Sequence, residues 1–203
     1  MYEIILASAS PRRKELMELM GIPYQIITAN VEETVSETMP SEMVQAIAEL
    51  KTTAVMNLPE LLTSENQEKI IIGADTMVFY KEHALGKPKD VEDAFRMLQM
   101  LSDHIHEVYT GVSIIIRKYS GEVERLRFAV CTQVAVHRLT TEQMNDYIAT
   151  GEPMDKAGAY AIQGQFGIHI KEIIGDYYNV VGFPIGQIYH SLLQRGIDLK
   201  KIK

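Results

Sequence analysis

The sequence is poor in cysteine and contains one, Cys131, among 203 residues. A single cysteine cannot form a disulfide within the chain, so nothing here requires an oxidising compartment, and we expect a cytoplasmic protein. Apolar and polar residues alternate from position 128 to 136. This period of two predicts that Cys131 is a buried strand residue on the face opposite Val130 and Val134.

Long apolar runs and an excess of basic charge are also missing. No apolar stretch approaches the roughly 20 residues that a membrane-spanning helix needs. The chain has 20 lysines and arginines against 27 acidic residues, which gives a formal charge of −7. Nucleic acids and anionic membranes require extended basic surface, so the sequence argues against both as partners.

Two familiar site signatures are absent from the sequence. It contains no G-x-x-x-x-G-K-[ST] P-loop, and its six histidines show no spacing typical of a metal site. Hydrophobic residues make up 46% and charged residues 23%, which is typical of a globular protein. Without repeats or long linkers, we predict a single domain over residues 1–203, and this length also allows two closely packed lobes.

The order of hydrophobic patterns predicts an α/β protein with a mixed sheet flanked by helices. Asp90 and Thr141 are suited to begin helices, residues 119–122 to form a hairpin turn, and Leu16, Leu19 and Met20 to form a buried helix face. The predicted strands are 3–7, 24–28, 69–73, 107–118, 123–139, 159–162 and 167–173. The predicted helices are 11–20, 41–56, 91–101, 141–149 and 184–194.

The first strand and helix are joined by small residues followed by cations. Ser8 and its neighbours let backbone N–H groups approach an anion, while Ser10 suits the N-cap and Pro11 the first helical position. The helix start adds partial positive charge to Arg12 and Arg13, so the segment predicts a phosphate cradle. For an isolated basic cluster, an ordinary solvated helix face is the alternative.

An acid follows the apolar run that ends at Gly73. Because ligand sites in α/β sheets form beyond the carboxyl ends of strands, Asp75 is a candidate general base or metal ligand. Its alternative role is to cap a turn.

Other candidate residues carry weaker signals. Lys87 lies between two backbone breakers, a common turn that can also fix an ammonium group. The amide of Gln163 can read a nucleobase edge, although its segment also suits an ordinary packed strand. Glu33 and Lys51 are by default solvated surface positions.

Six segments, taken in order, resemble the Maf family of nucleoside triphosphate pyrophosphatases. Each is weak alone, but the ordered set is specific and covers nearly the whole chain. With Gln163 in its segment and Thr76 directly after Asp75, the sequence resembles the subgroup of this family that acts on dTTP and UTP. It is less similar at these positions to the relatives that hydrolyse 7-methyl-GTP. The segments are residues 8–13, 73–76, 86–88, 109–112, 155–160 and 179–184.

The resemblance implies an elongated, two-lobed molecule with a central cleft, similar to inosine triphosphate pyrophosphatases and often homodimeric. It also implies a cytoplasmic housekeeping hydrolase that converts dTTP and UTP to monophosphates and pyrophosphate. A link to septum formation implies a division-protein partner.

The resemblance also implies roles for individual residues. Asp75 matches the family's proton acceptor, and Glu33 and Asp75 are the carboxylates for Mg²⁺ or Mn²⁺. Arg12, Thr76 and Gln163 select the base, with Arg12 also neutralising the triphosphate. The phosphate-binding residues are Ser8, Ser10, Arg13, Lys51 and Lys87.

A different class of function uses the same pocket without catalysis. In that alternative, the protein senses a nucleotide and inhibits septum formation through a protein partner. A nucleic-acid-binding module ranks third, because the sequence has an acidic balance and no stripe of aromatic and basic residues.

Overall fold

The structure is a computed structural model that describes residues 2–62, 67–81 and 83–202. Within these ranges, helices are interspersed with single strands and with hairpins along the chain. Strands β1 to β7 span Tyr2–Leu6, Gln25–Ile26, Glu68–Tyr80, His83–Leu85, Ile105–Arg117, Val123–Val136 and Ile170–Ile174. Helices α1 to α7 span Pro11–Met20, Pro40–Met56, Pro59–Leu62, Val91–Leu101, Thr141–Ala149, Tyr177–Val181 and Ile185–Leu193.

The strands form a mixed sheet in the order β2-β1-β3-β5-β6-β7, with β4 paired to β3. β1 runs parallel to both β2 and β3, with Ile5 opposite Gln25 and Ile71. β4 is antiparallel to β3, and β7 is antiparallel to β6. The predicted α/β fold with a mixed sheet is therefore confirmed. The described helices include none that is long and apolar enough to span a membrane.

The chain divides into two compact units. Unit 1 comprises Met1–Asp75, Thr110–Ala129 and Gly182–Lys203, and unit 2 comprises Thr76–Tyr109 and Val130–Val181. In unit 1, apolar residues of β1, β3 and β5 pack with Val55 of α2. In unit 2, residues of α4 and α5 pack with the inward-facing residues of the strands. Each unit therefore has a buried cluster of its own.

The helix starts in unit 2 follow local sequence rules. Asp90 precedes α4, and its carboxylate accepts a hydrogen bond from the Asp93 N–H at 2.8 Å. The predicted N-cap at Asp90 is therefore confirmed. The predicted cap of α5 at Thr141 is wrong by one residue: Thr140 is the N-cap, because Thr140 and Gln143 form a reciprocal capping box.

Some local predictions are wrong. Residues 159–162 do not form a strand, because Gly158 and Ala159 adopt left-handed backbone angles, with φ of 69° and 59°. In α1, Met17 is buried in place of Leu19, which is 59% exposed. Cys131 lies on β6 as predicted but is exposed. The alternation assigns its face correctly, but Gln133 on the same face is also exposed, so this face is not covered.

Unit 2 buries one histidine on β5. His106 is 1% exposed, and its Nε2 lies 2.8 Å from the Tyr160 hydroxyl. Among the described residues, its Nδ1 has no hydrogen-bond partner. Burial disfavours the charged imidazolium and lowers the pKa of His106 to about 4.

This burial predicts an acid-dependent loss of stability. The unfolded chain takes up a proton near the ordinary pKa of about 6.5, whereas the folded chain does so near about 4. The free energy of unfolding should therefore fall as the pH drops between these values, by about 3 kcal/mol from this residue. Urea denaturation across the range should show a shallower pH dependence for His106→Gln. An identical slope in the variant and the wild type would contradict this assignment.

Candidate active site

The junction between β1 and α1 begins the candidate site in unit 1. Ser10 is the N-cap residue with an extended backbone, and Pro11 occupies the first turn. The Ser10 N–H donates to the Ser8 hydroxyl at 3.3 Å, while the Ser10 side chain makes no capping hydrogen bond within the described structure. The first turn contains no acidic residue. No carboxylate there offsets the partial positive charge of this helix start, which can therefore attract an anion.

Arg13 is held beside this junction by two hydrogen bonds. Its Nε donates to the Gly182 carbonyl at 2.9 Å, and its Nη1 donates to the Ser8 hydroxyl at 3.2 Å. Gly182 has φ of 114°, a conformation that L side chains rarely adopt. The pKa of Arg13 is lowered, mainly because burial disfavours the charged form. The negative charge of Asp75 opposes this shift, and the positive charge of Arg12 adds to it. A guanidinium remains cationic at neutral pH, so this geometry fixes a positive charge beside the helix start.

The ammonium of Lys51 joins two carboxylates. Lys51, on α2, has its Nζ 2.7 Å from Oδ1 of Asp75 and 3.0 Å from Oε1 of Glu33. The side chains of Lys51 and Asp75 are 17% and 13% exposed, and that of Glu33 is 50% exposed. Two carboxylates from distant parts of the sequence therefore converge on one cation.

Asp75 lies within a strand and not beyond its end. β3 continues to Tyr80, so the predicted strand end at Gly73 is wrong. At Gly73, a Cβ would lie 2.6 Å from the Thr52 side chain of α2. The missing side chain permits a close approach of helix and strand. Lys51, next to Thr52 in sequence, thereby reaches Asp75.

Glu33 and Asp75 are the carboxylates predicted to hold a divalent cation. The described residues contain no group of three or more histidine, cysteine or acidic side chains that could hold a metal ion. Glu33 and Asp75 do supply two hard oxygen donors around one positive charge. Mg²⁺ is commonly bound by one or two carboxylates together with water and substrate phosphates. The pair therefore fits a cation shared with a phosphate ligand.

The structure also gives the positions of four further predicted site residues. Arg12 is partly buried in the first turn of α1. In unit 2, Thr76 lies on β3, Lys87 is exposed in the loop after β4, and Gln163 is exposed in a turn. The Gly158 N–H donates to the carbonyl of Gly86 at 3.0 Å and so fixes the start of the Lys87 loop.

Unit 1 brings together much of the predicted set and adds one group that the sequence analysis missed. The added group is the Gly182 carbonyl, which lies in a predicted motif but carries no local signal of its contact with Arg13. The predicted residues joined by hydrogen bonds or ion pairs are Ser8, Ser10, Arg13, Glu33, Lys51 and Asp75.

Fold and site define an α/β protein that has a helix start without acidic residues in its first turn and a pair of carboxylates around the Lys51 ammonium. The chain belongs to the Maf family, since the family model described as Maf-like protein matches residues 3–195. A dTTP/UTP pyrophosphatase of Lachnoclostridium phytofermentans is 48% identical over 201 residues, which cover 99% of each chain. A dTTP/UTP pyrophosphatase of Bacillus cereus is 46% identical over 200 residues, covering 98% of each.

A solved structure supports the fold assignment independently. A HAM1 protein from Coxiella burnetii matches with a TM-score of 0.50 and 14% sequence identity. The match covers 96% of this chain and 100% of that one. The likeness supports the α/β fold of this chain by comparison with a solved structure.

Proposed function

We propose that this chain hydrolyses dTTP and UTP to the nucleoside monophosphate and pyrophosphate. The relatives named dTTP/UTP pyrophosphatase, at 46% and 48% identity over nearly full length, support this substrate class. The observation that carries the proposal is the convergence of Glu33 and Asp75 on Lys51. A carboxylate for proton transfer, a cation position and fixed positive charges are the groups that this hydrolysis needs.

Binding of the triphosphate is assigned to the start of α1. There, the backbone N–H groups and the hydroxyls of Ser8 and Ser10 donate to phosphate oxygens. Arg13 adds a charge-assisted donor that is already oriented by Gly182, which reduces the ordering needed when substrate binds. Arg12 and Lys87 add positive charge.

The proton of the attacking water is assigned to Asp75. Lys51 donates to Oδ1 of Asp75 and fixes the carboxylate, and we assign Oδ2 to accept the proton. The water oxygen bonds to the α-phosphorus as the bond from that phosphorus to the bridging oxygen breaks. Pyrophosphate leaves with the electrons of that bond, and the monophosphate remains.

Glu33 and Asp75 are also the residues that would hold Mg²⁺ or Mn²⁺. When bound, the cation neutralises charge on the phosphate oxygens. Lys51 now lies between the two carboxylates. Its flexible stem lets the ammonium turn from them to a phosphate oxygen, which reconciles this contact with its predicted phosphate-binding role.

Base selection is assigned to Arg12, Thr76 and Gln163. Gln163 presents an amide with two donors and an acceptor, which suits the polar edge of uracil or thymine. The 5-methyl group that separates the two bases offers about 1–3 kcal/mol of discrimination. A site that selects the shared polar edge should therefore accept both nucleotides.

The proposal predicts pyrophosphate release from dTTP and UTP that stops when divalent metal is removed. Release is measured with canonical and modified nucleoside triphosphates, with Mg²⁺ or Mn²⁺ and after chelation by EDTA. We expect fast release from dTTP and UTP, restored by adding metal back. Nucleotide binding by folded protein without any release of pyrophosphate would overturn the enzymatic function. It would favour the alternative in which the protein senses a nucleotide.

The resemblance also leaves predictions about location and assembly. The cytoplasm stays the predicted location, because a single cysteine needs no oxidising compartment. A second copy of the chain and a division-protein partner stay predictions as well. Light scattering of the purified chain tests directly whether two copies of it associate.

A further inference from the structure

The turn that carries Gln163 is closed by its own backbone. The Gly164 N–H donates to the carbonyl of Ala161 at 3.1 Å, and the Gly167 N–H donates to the carbonyl of Gly164 at 3.0 Å. Gln163 is exposed within this turn, while Ala161 before it is buried. The direction of the Gln163 amide therefore depends on how the backbone on each side is fixed.

Two linked side chains of unit 2 fix that backbone. The Tyr147 hydroxyl accepts from the Ala161 N–H at 3.2 Å and donates to Oε1 of Glu152 at 2.8 Å. The other carboxylate oxygen, Oε2 of Glu152, accepts from the Gln165 N–H at 3.1 Å. One hydrogen-bonded pair thus binds the backbone two residues before and two residues after Gln163.

The packing at Gly164 places the carboxylate against the turn itself. A Cβ added at Gly164 would lie 2.0 Å from Oε1 of Glu152. The absence of a side chain there allows the turn to lie directly on the carboxylate. A side chain at this position would require the Glu152 carboxylate to move.

The donor in this pair is well defined. Tyr147 is 5% exposed, and its ring lies 5.0 Å from that of Phe166. Burial and the hydrogen bond to Glu152 raise the pKa of Tyr147 above its ordinary value, so the phenol keeps its proton. The hydroxyl therefore donates to the carboxylate and accepts from Ala161 at the same time.

We propose that Tyr147 and Glu152 are positioning residues that set pyrimidine selectivity by holding the Gln163 turn. The inference rests on the proposed function, because it acts through the residue assigned to the base. The pair lies outside the residues assigned to phosphate binding and proton transfer. Its loss should change which base is accepted and leave the chemical step intact.

The test is Tyr147→Phe, which keeps the ring and removes the hydroxyl. Pyrophosphate release is measured with UTP and CTP, and the ratio of their kcat/KM values is compared with the wild type. Loss of the two hydrogen bonds made by this hydroxyl should reduce the preference for UTP by about 3-fold to 10-fold, mainly through KM. Tyr189→Phe is the matched control, since that hydroxyl also donates to a carboxylate, Asp198, at 3.0 Å.

A double variant separates positioning from a general structural effect. In a Gln163→Ala background, Tyr147→Phe should cause no further change in the UTP to CTP ratio. An unchanged ratio in an active single variant would overturn the inference, as would an equal change in both backgrounds. The dissociation constants for UTP and CTP, measured by calorimetry, apply the same comparison to binding. Absence of release from every nucleotide would instead reject the proposed function.

Discussion

Asp75→Asn is expected to reduce pyrophosphate release from dTTP and UTP by about 10²-fold to 10⁴-fold. The amide keeps nearly the shape of the carboxylate but cannot accept the proton of water at neutral pH. It also removes the negative partner that now lies 2.7 Å from Lys51. Because Glu33 remains beside that ammonium, we expect the fold to persist.

The measurement compares release rates at saturating nucleotide, with thermal denaturation to check the fold. Asp198→Asn is the matched control, because that carboxylate is also in unit 1 and also lies near a lysine ammonium, that of Lys201 at 3.4 Å. The control should retain turnover. Full turnover in Asp75→Asn would remove this residue from the proton transfer.

Gly111→Ala is expected to lower the free energy of unfolding by about 3 kcal/mol. A Cβ at this position would lie 2.2 Å from the Val44 carbonyl carbon, 2.3 Å from its oxygen and 2.5 Å from the Gln45 nitrogen. These atoms belong to the backbone of α2, which cannot turn aside as a flexible side chain can. The helix must therefore move away from β5.

Urea denaturation of Gly111→Ala should show a lower midpoint. Gly186→Ala is the control: this glycine lies in α7, and a Cβ there meets nothing within 4 Å. The control should be neutral or more stable by up to about 1 kcal/mol, since alanine favours the helix. A wild-type midpoint for Gly111→Ala would show that α2 and β5 tolerate separation.

The sequence and the structure agree best where local rules decide. The predicted helix 91–101 and its N-cap at Asp90 are both observed, because capping and helical periodicity depend on residues within a few positions. The predicted turn at 119–122 is also present, with the Lys118 N–H donating to the carbonyl of Glu122 at 2.9 Å. The first strand and helix likewise place Pro11 in the first turn as predicted.

Prediction failed where a distant segment changes the local outcome. Residues 159–162 have the composition of a strand but do not form one. The Gly158 N–H donates to the Gly86 carbonyl, and Gly158 and Ala159 adopt left-handed backbone angles. β3 continues past Gly73, since β4 pairs with its second half. Periodicity within residues 159–162 carries no record of the contact between Gly158 and Gly86.

For the candidate site, the sequence alone determined the strand-to-helix junction and the residue types that suit phosphate binding. The tertiary structure decided that Lys51 joins Glu33 and Asp75, and that Gly182 orients Arg13. Arg13 and Gly182 are 169 positions apart in the sequence. Contacts of this kind depend on how helices pack against the sheet, and packing is a property of the whole chain that no short motif contains.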